Sequence, residues 1–354
     1  MASPTNTTIH ENYMRRCLDL ARQGEGLTWP NPMVGSVIVH QGKIIGEGYH
    51  RKAGGPHAEV WAIQSVKDQS LLEESTLYVN LEPCSHYGKT PPCSLLIQQK
   101  KIPRVVIGCT DTFSEVSGRG IAMLRAAGID VQTGILEKES RELNRRFFTY
   151  HEQKRPYIIL KWAETQDGFI DIDREETKDN RPTWITNEHA RRVVHLWRSR
   201  EQSILVGSIT ARKDNPSLTV RDWAGPHPLR MVLDRSGILP DHLALFDGEA
   251  PTLVFTSHTE RQYNHAEKIT IAPNSNPIET ILETLYQRQV QSVIVEGGTQ
   301  LINAFIDMNL WDEARVFTGV IWFRNGVKAP RLNLSPVENE KFGSSNLHIY
   351  RNNL

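Results

Sequence analysis

Three residues in the first third of the chain, His57, Cys84 and Cys93, have side chains suited to a zinc site. One imidazole and two thiols make three protein ligands, the number that catalytic zinc sites use, whereas structural sites close with four. Zinc with an open position lowers the pKa of a bound water towards ~7. Glu59, two residues after the histidine, remains as a carboxylate that can move protons. The pattern therefore predicts that residues far apart in sequence converge at one hydrolytic centre.

Two other interpretations of the same residues remain open. Cys84 and Cys93 are able to form a disulfide in an oxidising compartment, and His86 is available as the fourth ligand of a purely structural zinc. Against a disulfide, the first twelve residues do not resemble a secretory signal, and four cysteines in 354 residues do not make a disulfide scaffold. Cys17 and Cys109 have no partner at ligand spacing and are interpreted as packed thiols.

The spacing of the motif narrows the class of zinc enzyme. Zinc nucleobase deaminases carry His-x-Glu followed by Pro-Cys-x-x-Cys. In this chain eight residues, not two, separate the cysteines of the segment 83–93. With Asn-Pro-Met-Val-Gly at 31–35 and Gly-Glu-Gly-Tyr-His at 46–50, this segment resembles the deaminase half of the bifunctional riboflavin-biosynthesis deaminase/reductase family.

The resemblance implies a role for seven residues of the first half. Glu59 is expected to be catalytic. The expected zinc ligands are His57, Cys84 and Cys93, and the expected substrate contacts are Asn31, His50 and Lys89.

The length of the chain and a polar segment that ends at Pro156 predict two α/β domains, 1–150 and 151–354, with the boundary in that segment. The order of helices and strands in the first predicts an α/β/α layer similar to cytidine-deaminase-like proteins. We expect a helix beginning at His57, Cys84 just after a strand, and Cys93 at the start of a helix, because α/β sheets place binding sites at such junctions.

Several further elements are predicted from hydrophobic periodicity. They include one helix over 137–148, strands at 203–207, 217–221, 229–234, 292–296 and 314–322, and a helix over 299–308. Gly297-Gly298 stands between the last-named helix and the strand before it, which is a geometry that binds phosphate. On the residues alone, a simple turn is the commoner meaning of such a glycine pair.

The second half resembles the reductase half of the same family. The similarity lies in Lys161-Trp-Ala163, Asp167-Gly168, Trp184-Ile-Thr186, 214–221, Val232-Leu-Asp234 and Glu296-Gly-Gly298. It implies a dihydrofolate-reductase-like fold that uses NADPH. The implied cofactor contacts are Ala163, Trp184, Thr210, Asp214, Gly298, Thr299, Gln300, Leu301, Ile302, Asn303 and Ala304, and the implied substrate contacts are Arg198, Leu218, Arg221 and Glu296. Both arginines suit a phosphate, although solvent-exposed charge is an equally good explanation.

Three segments depart from the pattern of that half. Thr165-Gln166 replaces Ser-Leu, Asn180-Arg181-Pro182 replaces Gly-Glu-Ser, and 318–326 lacks the usual Pro-Lys. Proline at 182 removes a hydroxyl, so one substrate contact of the family is not expected here.

Composition restricts the partners. Lys+Arg and Asp+Glu are both 41, and this zero net charge argues against nucleic acid, whose binders usually carry a basic excess. No apolar run reaches the ~18 residues of a membrane span. We expect a cytoplasmic homo-oligomer, a dimer or tetramer, with a small pyrimidine ribotide phosphate as substrate, zinc-dependent deamination, and NADPH reduction of the ribosyl chain.

Two other functions are alternatives for this sequence. One is a zinc deaminase of the tRNA adenosine type with a non-catalytic C-terminal binding domain; the cysteine spacing and the neutral charge argue against it. The other is that the domains are remnants kept for binding or assembly, which the altered segment 165–182 leaves open for the second half.

Overall fold

The computed structural model describes residues 6–87, 91–112, 118–173 and 183–352. Lys89 and the predicted departure Asn180–Pro182 lie outside these residues. The chain divides into two compact units, Met1–Lys154 and Arg155–Leu354.

The described residues form helices and strands in nearly the order that the hydrophobic pattern predicts. The helices are α1 (Asn6–Arg22), α2 (Ala58–Ser65), α3 (Cys93–Gln99), α4 (Arg119–Ala126), α5 (Glu137–Leu143), α6 (Arg145–Gln153), α7 (Glu188–Arg200), α8 (Ser208–Asp214), α9 (Pro277–Gln287) and α10 (Thr299–Asp307). The strands of the first unit are β1 (Gly35–His40), β2 (Lys43–Tyr49), β3 (Thr76–Leu81), β4 (Arg104–Cys109) and β5 (Asp130–Thr133). Those of the second are β6 (Tyr157–Glu164), β7 (Phe169–Asp171), β8 (Ser203–Gly207), β9 (Leu229–Leu233), β10 (Thr252–Thr256), β11 (Glu267–Thr270), β12 (Ser292–Glu296), β13 (Glu313–Thr318), β14 (Val327–Lys328), β15 (Glu338–Phe342) and β16 (Ser345–Arg351).

The first unit is an α/β/α sandwich, as predicted. Its described strands form one sheet in the order β2-β1-β3-β4-β5, antiparallel on the hairpin side and parallel from β3 to β5. Alternate residues of each strand face opposite layers. Ile38, Leu77 and Val79 pack with α2, α3 and α4, whereas Val37 and Tyr78 pack with α1.

The second unit is built on a larger sheet, with the order β11-β10-β9-β8-β12-β6-β13-β16-β15 among the described strands. In this order, every neighbouring pair from β11 along the sheet to β13 is parallel. The β15–β16 hairpin pairs with β13 through β16 and adds an antiparallel edge. Helices α9 and α10 cover one face through Ile281, Leu285, Ile302 and Phe305. Buried residues including Leu218 and Leu245 cover the other face.

Three predicted elements differ from the structure. The helix predicted over 137–148 is two helices that meet at Asn144, and the strand predicted over 314–322 ends at Thr318. The strand predicted over 217–221 is wrong, since this segment is a loop. Backbone N–H and C=O groups of this loop bond side chains instead of a neighbouring strand. Within the described ranges, no helix is both long and apolar enough to cross a membrane.

Two glycines of β2 fix the position of α2. A Cβ on Gly48 would lie 2.4 Å from Trp61 Cβ and 2.6 Å from Ala58 O, and one on Gly46 would lie 2.5 Å from Ala62 O. Real side-chain carbons do not approach backbone atoms so closely, so only glycine allows the helix to lie directly on the strand. The contact places the first turn of α2 at the candidate metal centre.

We expect Gly48→Ala to push α2 away from the sheet, because its new methyl group overlaps helix atoms. Overpacking of this kind costs ~1–3 kcal/mol, and we expect a lower melting temperature and less zinc per chain, measured by atomic absorption. Gly42→Asn is the matched control, because nothing lies within 4 Å of its Cβ and asparagine tolerates the left-handed φ of +74°. Equal zinc content in both variants would contradict the role of the contact.

Candidate active sites

The predicted zinc ligands converge in the first unit. His57 Nδ1 lies 3.5 Å from Cys84 Sγ and 3.4 Å from Cys93 Sγ, and the three ligand atoms all lie within 4.8 Å of one another. His57 is the residue before α2, Cys84 follows β3 after two residues, and Cys93 begins α3. Each ligand therefore stands at a strand end or a helix start, as predicted.

This geometry fits a tetrahedral ion. Zinc bonds of ~2.3 Å to sulfur and ~2.0 Å to nitrogen require sulfur–nitrogen separations of roughly 3.5 Å, which matches both distances. The Cys93 backbone N–H donates to Cys84 Sγ at 3.3 Å. The pKa of the Cys84 thiol is lowered to about 4, first by a hydrogen bond from the Cys93 thiol and then by His57. Cys84 is therefore held as the thiolate that metals bind, whereas the hydrogen bond to Cys84 and burial raise the pKa of the Cys93 thiol.

The two other interpretations of these residues can now be assessed. All four cysteines are free thiols, so Cys84 and Cys93 do not form a disulfide. His86 is exposed and does not belong to the ligand cluster found among the described residues. Cys17 and Cys109 are buried away from the cluster, as packed thiols are expected to be. Three protein ligands leave a fourth position for water or substrate.

Glu59 lies in the first turn of α2, next to the ligands, and its side chain is only 3% exposed. Burial raises the pKa of this carboxyl to about 6. The carboxyl is within hydrogen-bonding reach of the Cys93 thiol, which tends to lower its pKa. A carboxyl group in this position is suited to accept and return a proton near neutral pH.

The predicted substrate contacts Asn31 and His50 touch each other beside the ligands. His50 Nδ1 lies 3.0 Å from the Pro56 carbonyl, which can only accept, so this nitrogen carries the proton. His50 Nε2 then accepts from Asn31 Nδ2 at 3.0 Å. Burial lowers the pKa of His50, which keeps it neutral. The rings of His50 and His57 meet edge to face at 5.5 Å, so a base held by Asn31 would lie close to the metal position.

Two buried asparagines hold the segment that carries Asn31. The Asn144 amide bonds both the N–H and the carbonyl of Met33, at 2.8 and 2.9 Å. Asn80 donates to the same carbonyl and accepts from the Gly35 N–H at 2.8 Å. Sequence reasoning missed both residues. The available signal for Asn80 was a polar residue inside the apolar strand Leu77–Leu81.

Glu82 holds the loops around the cysteine ligand and was also missed. Its carboxylate is 4% exposed and accepts four backbone N–H groups. Oε2 accepts from Asp111 and Gly118, and Oε1 accepts from Gly120 and Ile121, all between 2.9 and 3.2 Å. The start of α4 is thereby tied to the residues just before Cys84.

In the second unit, several predicted cofactor contacts lie where parallel strands end. The β8 strand leads into α8, which carries Thr210, and β12 leads through Gly297-Gly298 into α10. The Gly298 N–H donates to Thr210 Oγ1 at 2.9 Å. A Cβ on Gly297 would lie 2.9 Å from the same oxygen, and its φ of +122° also requires glycine. The two segments thus form one cradle at the start of a helix, where anions bind.

The other predicted cofactor contacts are placed as follows. Ala163 is near the carboxyl end of β6, Asp214 ends α8, and Trp184 is 63% exposed. In the first two turns of α10, Leu301 and Ile302 point into the core, whereas Gln300 is exposed. The remaining positions, Thr299, Asn303 and Ala304, are half-buried. The Leu301 side chain is therefore not available to a cofactor, which leaves its backbone N–H in the first turn, whereas the Ile302 N–H already donates to the Gly298 carbonyl at 3.4 Å.

Two predicted substrate contacts, Arg198 and Glu296, form a buried ion pair at 2.9 Å. Lys161 lies 3.9 Å from the other carboxylate oxygen of Glu296. Burial opposes ionisation of Glu296, but Arg198 and Lys161 together keep its pKa below the usual value. Burial lowers the pKa of Lys161. The alternative that Arg198 is exposed charge does not hold.

The remaining substrate contacts, Leu218 and Arg221, lie on the loop that was predicted as a strand. Leu218 is buried, and Arg221 is exposed. The Arg221 N–H donates to His195 Nδ1, and the Val220 N–H donates to His227 Nδ1, both at 3.1 Å. Sequence reasoning missed both histidines, because nothing in their spacing relates them to the loop.

Two of the departures from the family pattern contact each other. The Thr165 hydroxyl bonds Asp167 Oδ1 at 2.6 Å and accepts from the Phe169 N–H, which supports the turn at 167–168. The Asp167 carboxylate in turn accepts the N–H groups of Phe323 and Arg324. Threonine at 165 thus has a structural task that links the turn to the altered segment 318–326.

Comparison with known proteins matches both units. A family model of the cytidine and deoxycytidylate deaminase zinc-binding region matches residues 7–109, and a model of the RibD C-terminal domain matches residues 156–322. The riboflavin biosynthesis protein RibD of Aquifex aeolicus is 39% identical over 336 residues, covering 93% of this chain and 92% of the relative. RibD of Escherichia coli is 35% identical, covering 87% and 86%.

Solved structures give the same result over the whole chain. A diaminohydroxyphosphoribosylaminopyrimidine deaminase/5-amino-6-(5-phosphoribosylamino)uracil reductase of Thermotoga maritima matches with a TM-score of 0.88 and 39% identity, covering 98% of this chain and 99% of that one. RibD of Acinetobacter baumannii matches with a TM-score of 0.86 and 30% identity, covering 97% and 99%. Fold and site define a two-unit enzyme, a cytidine-deaminase-like unit followed by a reductase unit. The chain belongs to the RibD family of riboflavin biosynthesis proteins.

We expect Glu82→Gln to destabilise the first unit. In the parental chain two backbone N–H groups donate to one carboxylate oxygen, and in the variant an amide NH2, which is itself a donor, takes the place of one oxygen. Buried groups left unpaired cost ~1–3 kcal/mol, which a lower unfolding free energy in urea would show. Asp130→Asn is the control; its ion pair with Arg104 is exposed, and we expect a change within ~0.5 kcal/mol. Equal unfolding free energies for the two variants would contradict the role of Glu82.

Proposed function

We propose that this chain is a bifunctional enzyme of riboflavin biosynthesis. It deaminates 2,5-diamino-6-ribosylamino-4(3H)-pyrimidinone 5′-phosphate by hydrolysis and then reduces the ribosyl group of the product to a ribityl chain with NADPH. The observation that carries the proposal is the convergence of His57, Cys84 and Cys93 beside the buried Glu59, in a chain whose relatives match both units.

In the deaminase unit, each proposed residue has one task. His57, Cys84 and Cys93 would hold zinc, and bound zinc supplies water activation at neutral pH. Glu59 accepts a proton from the attacking water and delivers it to the departing exocyclic amine. Asn31 holds the pyrimidine, and the neutral His50 fixes the orientation of the Asn31 amide. Lys89 is proposed to contact the phosphate.

In the reductase unit, binding and orientation are the main contributions. The N–H groups at the start of α10, with Gly298 and Thr210, would hold NADPH, which supplies the hydride when bound. Ala163, Trp184, Asp214 and the first turns of α10 are the proposed further contacts. Arg198, Leu218, Arg221 and Glu296 would hold the substrate, with Arg221 as the exposed cation for its phosphate. Holding a reactive geometry contributes up to ~7–11 kcal/mol to such a step.

The proposed partner is the small pyrimidine ribotide alone, without nucleic acid or membrane. We propose a cytoplasmic homo-oligomer, a dimer or tetramer. A nucleic-acid deaminase with an accessory domain is not favoured, because relatives cover the second unit as well as the first and carry the reductase domain there.

We expect Glu59→Gln to keep zinc but to lower ammonia release by ~10²–10⁴-fold, because the amide cannot move a proton. Reduction of the pre-deaminated substrate, followed as NADPH oxidation, should continue at the parental rate. Cys84→Ser should instead lose zinc, and Cys109→Ala is the matched thiol control that should keep both zinc and activity. Near-normal ammonia release in Glu59→Gln would refute its role as the proton carrier.

We expect Gly298→Val to weaken NADPH binding at least ~10-fold, because a branched side chain at the start of α10 blocks the approach of a phosphate to the helix N–H groups. Fluorescence titration with NADPH measures this directly, and deamination should not change. Gly128→Asn is the control, because this exposed glycine has a φ of +80° and nothing lies within 4 Å of its Cβ. Unaltered NADPH affinity in Gly298→Val would count against the cradle.

A further inference from the structure

Arg230 is a buried arginine to which the proposed mechanism gives no task. It lies in β9, in the otherwise apolar sequence Leu-Arg-Met-Val-Leu, and its exposure is 0%. All five of its N–H donors are bonded, at 2.7 to 3.2 Å. The acceptors are Thr252 Oγ1, Asp247 Oδ1 and the carbonyl oxygens of Ser217, Ala244 and Ala250.

These bonds join two loops that lie on either side of β9 in the sequence. The loop 215–221 leads from α8 towards β9, and the loop 244–250 precedes β10. Arg230 holds Ser217 of the first and Ala244 of the second through the same NH1 nitrogen. On the exposed side, the side-chain Oδ1 of Asn215 accepts from the Ala244 N–H at 2.7 Å. The first loop is therefore fastened at two points.

The backbone of this loop adopts a conformation that does not persist without such support. Leu218 has a φ of +55°, in the left-handed region that leucine rarely adopts. The carbonyls on both sides of it are held by arginines, Ser217 O by Arg230 at 3.2 Å and Thr219 O by Arg198 at 3.4 Å. Residues in such conformations persist when their surroundings over-determine them, and they cluster at functional sites.

The fastened loop ends at Arg221, the proposed phosphate contact. The Arg221 guanidinium donates to the Ser217 hydroxyl. The backbone carbonyl of the same serine accepts from Arg230. The Ser217 and Thr219 hydroxyls are 3.1 Å apart and complete the support. A path of direct contacts thus runs from the buried Arg230 through Ser217 to the exposed Arg221.

We infer that Arg230 is a positioning residue for phosphate recognition in the reductase step: it fixes the Ser217–Arg221 loop so that Arg221 faces the substrate phosphate. The inference rests on the proposed function. Lysine cannot replace Arg230, because one ammonium group cannot reach acceptors that surround a planar fork.

The test compares the full-length chain with Arg230→Lys on two substrates, the deaminated ribotide and its dephosphorylated form, with NADPH in excess. We expect KM for the phosphorylated substrate to rise at least ~10-fold, since a misplaced group remote from the chemistry can cost up to ~100-fold, while kcat stays within about twofold. The dephosphorylated substrate should be affected little. In an Arg221→Ala background, Arg230→Lys should add no further loss.

Two further variants separate positioning from general destabilisation. Arg155→Lys is the matched control, because Arg155 is a buried arginine of the same unit whose fork binds Asp312, not the loop. Its preference for the phosphorylated substrate should remain normal. Asn215→Gly removes the exposed fastening while glycine keeps the left-handed backbone at φ +42°. Asn215→Gly should lower the preference for the phosphorylated substrate, as Arg230→Lys does. If Arg230→Lys does not fold, the result for Asn215→Gly decides the question.

The possible outcomes point in different directions. A loss confined to the phosphorylated substrate supports the inference. An equal loss on both substrates, or unaltered KM in Arg230→Lys and Asn215→Gly, overturns it. If the unaltered chain fails to oxidise NADPH with either substrate, the proposed function itself is overturned. If the unaltered chain is active and Arg230→Lys turns over the phosphorylated substrate at the normal rate, only the inference is overturned.

Discussion

Buried backbone N–H and C=O groups need hydrogen-bond partners, and the loops that carry both candidate sites find them in buried polar side chains. In the first unit, Glu82 accepts four N–H groups, and Asn80 and Asn144 hold both polar groups of Met33. In the second unit, Arg230 donates to three carbonyl groups. Loss of one such side chain leaves several groups unpaired at once. The regular sheets supply rigidity, but these few residues decide where the functional loops lie.

Much of the fold and the deaminase site could be predicted from the sequence. Apolar periodicity identified the α/β order, and the zinc ligands were predicted because only a few side chains bind zinc and their spacing is distinctive. The positions of His57 before a helix and Cys93 at the start of another followed from the same pattern. What the sequence did not show is which polar residues support them. The helix predicted over 137–148 places Asn144 in its interior, although Asn144 caps the end of α5 and bonds Met33, which lies 111 residues away.

The loop 215–221 shows why the remainder could not be predicted. Ser-Leu-Thr-Val-Arg has the β-branched residues and alternation of a strand, so a local pattern favours one. A strand also needs a neighbour, and β9 already pairs with β8 and β10 on its two sides. The backbone groups of the loop are bonded instead to Arg230, Arg198, His195 and His227, which lie elsewhere in the sequence. Partners of this kind are determined by the tertiary structure alone.

The two sites differ in how much of their chemistry the sequence can reveal, and the reason is physical. Deamination needs particular elements, namely a nitrogen and two sulfurs for the metal and a carboxylate for the proton, and few residue types provide them. Binding of a dinucleotide at a helix start uses backbone N–H groups, which every residue except proline has. Leu301 illustrates this, since its side chain belongs to the core and only its N–H, in the first turn of α10, could serve a ligand. The surrounding geometry, above all Gly297 against Thr210, therefore carries more information about the reductase site than the identity of its contacts.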